Sequence, residues 1–215
     1  PDAREVMLLG HIDTVSGWID VREEAGELWG RGSVDAKGPL CAFVCGAANA
    51  VIADDARVIV IGAVGEETPT SPGACFVRDT MREPSCVLIG EPSHWDRFTI
   101  GYKGRLLLEA EFAQACGHSA GPEEGVAERA CAWWDAVRAW AERLSGEREG
   151  PFDRVQATIH TMRTESDGLI DLAVMAVGFR LPMWLSPEDA ERKARGLSTD
   201  VTTLRAFGHT PAHRE

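Results

Sequence analysis

The sequence contains no long hydrophobic segment, and it carries too little positive charge for several classes of protein. No apolar run reaches the roughly 18 residues that a membrane-spanning helix needs, and no signal peptide is visible. Lysine and arginine total 22 against 34 aspartates and glutamates, which gives a net charge of −12. Because phosphate binding needs a basic face, this balance argues against nucleic acid as the main partner. We therefore expect neither a membrane protein nor a nucleic-acid-binding protein.

Cysteines with the close spacing of a metal-binding or redox pair are also missing. The six cysteines stand at positions 41, 45, 75, 86, 116 and 131, and no two of them form a CxxC pair. Most have apolar neighbours, so we expect reduced, buried thiols in a cytoplasmic protein. Cys41 and Cys45, one helical turn apart, are expected to pack in the core rather than to bind metal.

Short apolar runs alternate with helical patterns in the first part of the chain. EVMLLG, ARVIVIGAV and SCVLIG are near-continuous apolar segments, which suit parallel strands covered on both faces. This alternation of strand and helix is typical of an α/β domain over residues 1–96. We predict strands at residues 5–10, 56–64 and 85–90 and helices at residues 39–53 and 71–82.

The pattern changes after residue 96. FTIGYKGRLLLEAEFAQA alternates in the manner of a half-exposed strand, and GVAERACAWWDAVRAWAERLSG is an amphipathic helix. Two further strands follow, DRVQATIHTMR and DLAVMAVGFRLP. Ser186 and Pro187 then begin a second helix as its N-cap and first residue, and TDVTTLRAFG is the last strand. The order βαββαβ predicts a small α+β domain of one sheet and two helices over residues 97–209.

Four polar clusters follow the predicted strands of the first domain or lie in the loops after them. Each alone has an ordinary interpretation, because a loop histidine is usually only solvated and adjacent glutamates are usually surface charge. Ligands of an open α/β sheet bind at the carboxyl edge of its strands, so four clusters at that edge predict a site. The clusters are His11 with Asp13, Asp35 in GRGSVDAKG, Glu66 with Glu67, and Glu91 in GEPS.

These side chains suit two divalent metal ions. Zinc takes imidazole and carboxylate ligands, and a carboxylate with two oxygens, such as that of Asp35, could bridge metals roughly 3.5–4 Å apart. Two Zn²⁺ ions bring four positive charges, and Asp35, Glu67 and Glu91 bring three negative charges. A bound hydroxide would leave such a site close to neutral.

The spacing within two of the clusters, His11 with Asp13 and Glu66 with Glu67, suggests a separate role for each residue. Residues two apart in a strand point to the same side, so Asp13 could accept the second ring N–H of His11 and fix its tautomer. Adjacent residues in a loop can point in different directions. One glutamate of the pair Glu66 and Glu67 could therefore bind metal while the other stays free as a general base on the attacking water.

Five stretches together resemble one known family. HIDTV, GRGSVDAKG, GEETPTSPGA, GEPS and GHSAGPEEG are similar to motifs of the M20 dinuclear zinc aminoacylases and carboxypeptidases, and the resemblance runs across essentially all 215 residues. It implies a zinc-peptidase-like three-layer α/β catalytic domain, incomplete here, over residues 1–96. It also implies an inserted βαββαβ lid and dimerisation domain over residues 97–209, with residues 210–215 beginning the return to the catalytic domain, and a homodimer formed through the lid.

The resemblance further implies two Zn²⁺ ions, with Co²⁺ as the alternative, and a role for each polar cluster. The metal ligands would be His11 and Glu91 for the first ion, Asp35 for both ions and Glu67 for the second. Glu66 would be the general base, and Asp13 would position His11.

Two further residues take roles from the lid of this family. His118, in GHSAGPEEG, matches the lid histidine that reaches into the partner subunit's site and steadies the developing oxyanion. Arg180, in VGFRLP, falls near the arginine that binds the substrate carboxylate, although a structural sheet arginine remains the alternative.

One element of the family pattern is missing. The family's last metal-ligating histidine lies beyond the lid, and this chain, which also lacks an initiator methionine, stops first. His209 and His213 are poor substitutes, since they belong to the last lid strand and the return segment. We therefore expect a fragment of a longer protein.

Within the family, GEETPTSPGA followed by GEPSHWDRFTIGYKGRLLLE most resembles hydrolases that release lysine or ornithine from an acidic amino-group carrier protein by cutting a γ-glutamyl isopeptide bond. The alternatives are acetylornithine deacetylase or succinyl-diaminopimelate desuccinylase, which act on small N-acylated amino acids, and a family dipeptidase. A non-enzymatic alternative is an inactive metal-binding or dimerising fragment.

A carrier-protein substrate would need a local basic patch, because the net charge does not attract an acidic partner. Solvated surface charge is an equally good interpretation of each cluster. The candidates are Arg97, Lys103 and Arg105 near the start of the lid and Arg192, Lys193 and Arg195 on a lid helix.

Overall fold

The computed structural model describes residues 3–68, 70–94, 96–118, 121–197 and 200–214. The chain forms two compact units, Pro1–Phe98 and Thr99–Glu215. Among the described helices, none combines the length and the apolar character needed to cross a membrane.

The first unit contains a parallel three-stranded sheet in the order β4-β1-β5. The central strand β1 pairs with β4 along its whole length and ends at His11, opposite Ala63. The carboxyl ends of all three strands therefore lie at one edge. Along the chain the elements are β1 (Arg4–His11), β2 (Arg22–Glu24), β3 (Glu27–Trp29), α1 (Lys37–Asn49), β4 (Ala56–Ala63), α2 (Pro72–Thr80) and β5 (Cys86–Ile89).

The prediction of buried cysteines is wrong. Five of the six thiol residues are exposed and Cys75 is half-buried, although all six are free. For the two cysteines of helix α1, Cys41 and Cys45, the error has a clear cause, because this helix is apolar around most of its circumference. Leu40 and Phe43 are the residues that approach the sheet, at Gly10 and Gly90 respectively, so Cys41 and Cys45 lie on other sides of the helix. The apolar residues next to Cys41 and Cys45 in the sequence did not show which side of helix α1 packs against the sheet.

The second unit follows the predicted βαββαβ order within a four-stranded antiparallel sheet, β10-β7-β9-β8. A separate short pair joins β11 to β6. The elements are β6 (Gly101–Tyr102), β7 (Gly104–Ala115), α3 (Val126–Ser145), a 3₁₀ turn (Pro151–Asp153), β8 (Gln156–Ser166), β9 (Ile170–Leu181), α4 (Pro187–Arg195), β10 (Thr203–Thr210) and β11 (His213–Arg214).

The core of the second unit lies between this sheet and its two helices. Trp133 of α3 is almost fully buried and packs with Phe112 of β7, with ring centroids 6.1 Å apart. Trp140 contacts Phe179 of β9 edge-on. Helix α4 begins as predicted, because the Ser186 hydroxyl accepts the N–H of Asp189 at 3.1 Å. One face of the sheet is thus covered by helices, and alternate residues of each strand point away from them.

Candidate metal centre

The buried imidazole of His11 lies at the centre of the acidic cluster. Only 1% of its surface is exposed, and Nδ1 lies 3.0 Å from the backbone carbonyl oxygen of Asp13. The Asp13 carboxylate, which the sequence suggested as this partner, is farther away at 3.6 Å. In the tautomer whose Nδ1–H donates to this carbonyl, the Nε2 lone pair is available to bind a cation.

The carboxylate of Asp13 has a different set of partners. Its two oxygens accept the backbone N–H groups of Glu66 at 3.2 Å and Glu67 at 3.1 Å. Burial raises the pKa of Asp13, but these two backbone donors outweigh it and hold the pKa below its usual range. Asp13 is therefore ionised, and it fixes the backbone of both glutamates after strand β4.

Three further carboxylates surround Nε2 of His11. The nearest oxygens of Asp35, Glu91 and Glu66 lie 3.3, 3.6 and 3.7 Å away. They come from separate parts of the chain: the loop before α1, the end of β5 and the end of β4. The parallel sheet brings these strand ends together at its carboxyl edge, as the sequence predicted.

Two groups of ligand atoms within this cluster could each hold a metal ion. Within each group the atoms lie within 4.8 Å of one another. His11 belongs to both. The first group is His11, Asp35 and Glu91, and the second is His11, Glu66 and Glu67. The structure therefore brings together every site residue predicted in the first domain, whereas His118 and Arg180 belong to the second unit.

The electrostatics of the cluster favour a cation. Burial, reinforced by repulsion from Glu66, raises the pKa of Glu91 to about 7. Burial is also the main reason that the pKa of Glu66 is raised. For His11, burial lowers the pKa, but attraction to Glu91 and Glu66 outweighs this effect and the pKa is raised. Carboxylates and one imidazole, crowded in a partly buried place, form a donor set that fits a divalent metal ion.

A first prediction concerns metal-dependent stability. Adding Zn²⁺ at about 100 times its dissociation constant should stabilise the folded protein by about 2.7 kcal/mol, because the ion binds only the folded cluster. Asp35→Asn should abolish this increase in Tm, yet the metal-free variant should be no less stable than the parent protein, since one repulsive charge is removed. Differential scanning calorimetry with and without zinc measures both effects.

The matched control is Asp54→Asn, which removes an exposed carboxylate outside the cluster. It should keep the full zinc-dependent increase in Tm. An equal increase in Asp35→Asn would show that zinc stabilises the protein from another place.

Comparison with known proteins identifies the family. The profile of Peptidase family M20/M25/M40 matches residues 7–189. The chain therefore belongs to this family, and the predicted resemblance and fold class are confirmed.

Two relatives illustrate the likeness. A LysW-lysine hydrolase of Deinococcus radiodurans is 42% identical over 97% of this chain and 59% of its own length. A LysW-lysine/LysW-ornithine hydrolase of Sulfurisphaera tokodaii is 31% identical over 57% of this chain and 35% of its own length. The chain thus spans less than two thirds of the length of either relative.

Solved structures agree on the fold. A tripeptidase from Staphylococcus aureus superposes with a TM-score of 0.66 at 16% identity, covering 100% of this chain and 60% of that one. An M20 family metallo-carboxypeptidase from Sulfolobus solfataricus gives a TM-score of 0.64 at 12% identity, covering 98% and 65%. At such identities the likeness concerns the fold alone.

Proposed function

We propose that this protein is the metal-dependent part of an amidohydrolase that releases lysine or ornithine from an acidic amino-group carrier protein by cleaving a γ-glutamyl isopeptide bond. The observation that carries the proposal is the convergence of Asp35, Glu66 and Glu91 on one buried histidine, His11. This convergence occurs in a chain that is 42% identical to a LysW-lysine hydrolase over 97% of the chain's own length.

The proposed cofactor is a pair of Zn²⁺ ions, with Co²⁺ as the alternative. His11 and Glu91 would bind the first ion, Asp35 would bridge both, and Glu67 would bind the second. The two ligand groups support this assignment in part, because Asp35 joins His11 and Glu91 in the first group and Glu67 belongs to the second. Bound zinc polarises a scissile carbonyl and makes an attacking water more acidic.

Glu66 would be the general base. Its Oε2 lies 3.7 Å from Nε2 of His11, and its side chain is 39% exposed, so both the cluster and solvent reach it. The Asp13 carboxylate holds its backbone N–H, which fixes the place from which the side chain extends. Glu66 would take a proton from the attacking water and deliver it to the leaving amine of lysine or ornithine.

Two residues of the second unit complete the proposal. His118, an exposed residue after β7, would reach the partner subunit's site and stabilise the oxyanion there. Arg180, exposed on β9, would bind a substrate carboxylate. Strand β8, an edge strand of 11 residues, supports a homodimer formed through this unit, because edge strands carry backbone groups able to pair with another chain.

The substrate assignment makes a second prediction. The metal-loaded enzyme should hydrolyse carrier-linked lysine with a kcat/KM more than about tenfold above that for N-acetyl-ornithine, a difference of ~1.4 kcal/mol in transition-state binding. The reason is that the carrier conjugate offers additional groups for recognition. Amine release from both substrates, and from free dipeptides, is measured under identical conditions. Faster turnover of N-acetyl-ornithine would make the deacetylase alternative correct.

A further inference from the structure

Two arginines lie directly opposite each other on neighbouring strands of the second unit. In the antiparallel pairing of β7 with β9, Arg105 is the partner of Arg180. The adjacent pair, Leu106 with Phe179, is buried in the core against the helices. Since side chains alternate between faces, both arginines project from the opposite, helix-free face. Arg180 is exposed there and Arg105 is half-buried.

This like-charge pair is unfavourable by itself. Like charges directly opposite each other destabilise a sheet, whereas opposite charges stabilise it. The same face contains the favourable arrangement, because Arg205 of β10 is the partner of Glu109 of β7 and forms an ion pair with it at 2.8 Å. Within residues 99–118, 121–197 and 200–214, by contrast, no carboxylate forms an ion pair with either arginine of the Arg105–Arg180 pair.

A third positive charge increases the local excess. Lys103 donates its ammonium hydrogens to the carbonyl oxygens of Pro151 and Arg154 and to Oε1 of Gln156. Burial lowers the pKa of Lys103, and the charge of Arg180 lowers it further. Because its donors are used within the chain, Lys103 is unsuited to bind a partner, but its charge still favours an anion beside Arg180.

Both arginines of the other predicted basic cluster have acidic partners. On α4, Arg192 pairs with Asp189 and Arg195 pairs with Glu191. Arg97 also has an acidic neighbour, Asp96, at 3.5 Å. Among the arginines of the two predicted basic clusters, Arg105 is therefore distinguished by having no ion pair with a carboxylate in the part of the chain that the structure describes.

The next position of β9 on the same face as Arg180 is a glycine, Gly178. The ring of His160 lies against Gly178, where a side chain at residue 178 would collide with it. His160 is the extra residue of a β-bulge between Ile159 and Thr161, and bulges redirect side chains. An imidazole thus lies on this face of the sheet two residue pairs away from the two arginines, at the next position that points to the same side.

This arrangement fits carboxylate groups. Each guanidinium can bind one carboxylate through two parallel N–H donors. A γ-glutamyl amide of lysine carries two carboxylates, the α-carboxylate of the glutamyl residue and that of lysine, whereas an N-acetyl amino acid carries one. We infer that Arg180 binds the carboxylate of the lysine moiety and that Arg105 binds the α-carboxylate of the glutamyl residue and so selects γ-glutamyl over acetyl substrates. This inference rests on the proposed function.

The test uses three substrates with the metal-loaded enzyme: γ-glutamyl-lysine, N-acetyl-lysine and carrier-linked lysine. Arg105→Gln should raise KM for both γ-glutamyl substrates roughly 10–10²-fold, the range expected for lost charged hydrogen bonds, with kcat little changed. KM for N-acetyl-lysine should stay the same. Arg105→Lys, which keeps the charge but loses the planar donor pair, should show an intermediate loss. The control Arg163→Gln removes an exposed charge from β8 of the same sheet and should alter no KM.

A binding measurement separates this inference from the proposed function. Calorimetry should show that glutarate, with two carboxylates, binds the parent protein more tightly than butyrate, and that Arg105→Gln removes the difference. If no substrate is hydrolysed but the Arg105-dependent preference for glutarate is observed, the proposed function is wrong, whereas the binding of two carboxylates by Arg105 and Arg180 is supported. Equal KM increases for the γ-glutamyl and acetyl substrates would overturn the inference. A KM increase confined to the carrier conjugate would also overturn it, because Arg105 would then contact the carrier protein rather than the glutamyl carboxylate.

Discussion

In the complete enzyme, Glu66→Ala is expected to lose on the order of 10²–10⁴-fold in turnover while retaining its metal, the usual scale for removal of a general base. Glu67→Ala should lose metal as well as activity. The two residues form a matched pair, because their backbone N–H groups bind the same carboxylate, that of Asp13, at nearly equal distances. A difference between the variants therefore reports the side chain rather than the backbone.

Metal content and turnover are measured on the same preparations, by elemental analysis and by amine release. The structure makes this comparison necessary, since Glu66 and Glu67 both lie close enough to His11 to join one ligand group. Equal zinc content in the two variants would refute the division of roles. Loss of zinc from Glu66→Ala with retention in Glu67→Ala would exchange the two assignments.

A mixture of His118→Ala and Glu66→Ala proteins is expected to recover roughly a quarter of the parental activity after subunit exchange in a two-fold dimer. Each variant alone should be nearly inactive, with His118→Ala losing about 10²–10³-fold, as for removal of an oxyanion donor. In a heterodimer, the subunit with intact Glu66 would receive an intact His118 from its partner. Random exchange places half of the subunits in heterodimers, and one site of each is complete.

The control is a mixture of two differently tagged His118→Ala preparations, which should exchange subunits equally well and recover nothing. Co-purification of the two tags measures exchange independently of activity. Demonstrated exchange without recovery would show that His118 serves its own chain or the fold alone.

The cluster around His11 was largely predictable because it depends on a simple rule. His11 ends one short apolar strand, and Glu66, Glu67 and Glu91 follow two others. Because parallel strands end at one edge, the sequence already places these four residues together. The choice of atoms was not predictable. The sequence offered the carboxylate of Asp13 to His11, but the loop turns so that the backbone carbonyl is nearer and the carboxylate binds two N–H groups instead.

The pairing of Arg105 with Arg180 illustrates a second kind of limit. The two residues are 75 positions apart, and they meet because the register of β7 against β9 places them opposite each other. A shift of one residue would move either arginine to the helix-covered face. Alternating apolar residues predicted both strands, but no local pattern in either strand encodes their relative register.

The central position of β1 has a consequence for when the cluster forms during folding. His11 lies on the middle strand, and its partners follow β4 and β5, so residues 11, 67 and 91 meet only after both long-range strand pairings are complete. Pairings between distant segments close slowly, because the entropy of a large loop is lost before any contact compensates for it. An ion that needs these ligands together cannot nucleate the sheet. Such an ion binds after both strand pairings have formed, and it therefore slows unfolding rather than accelerating folding.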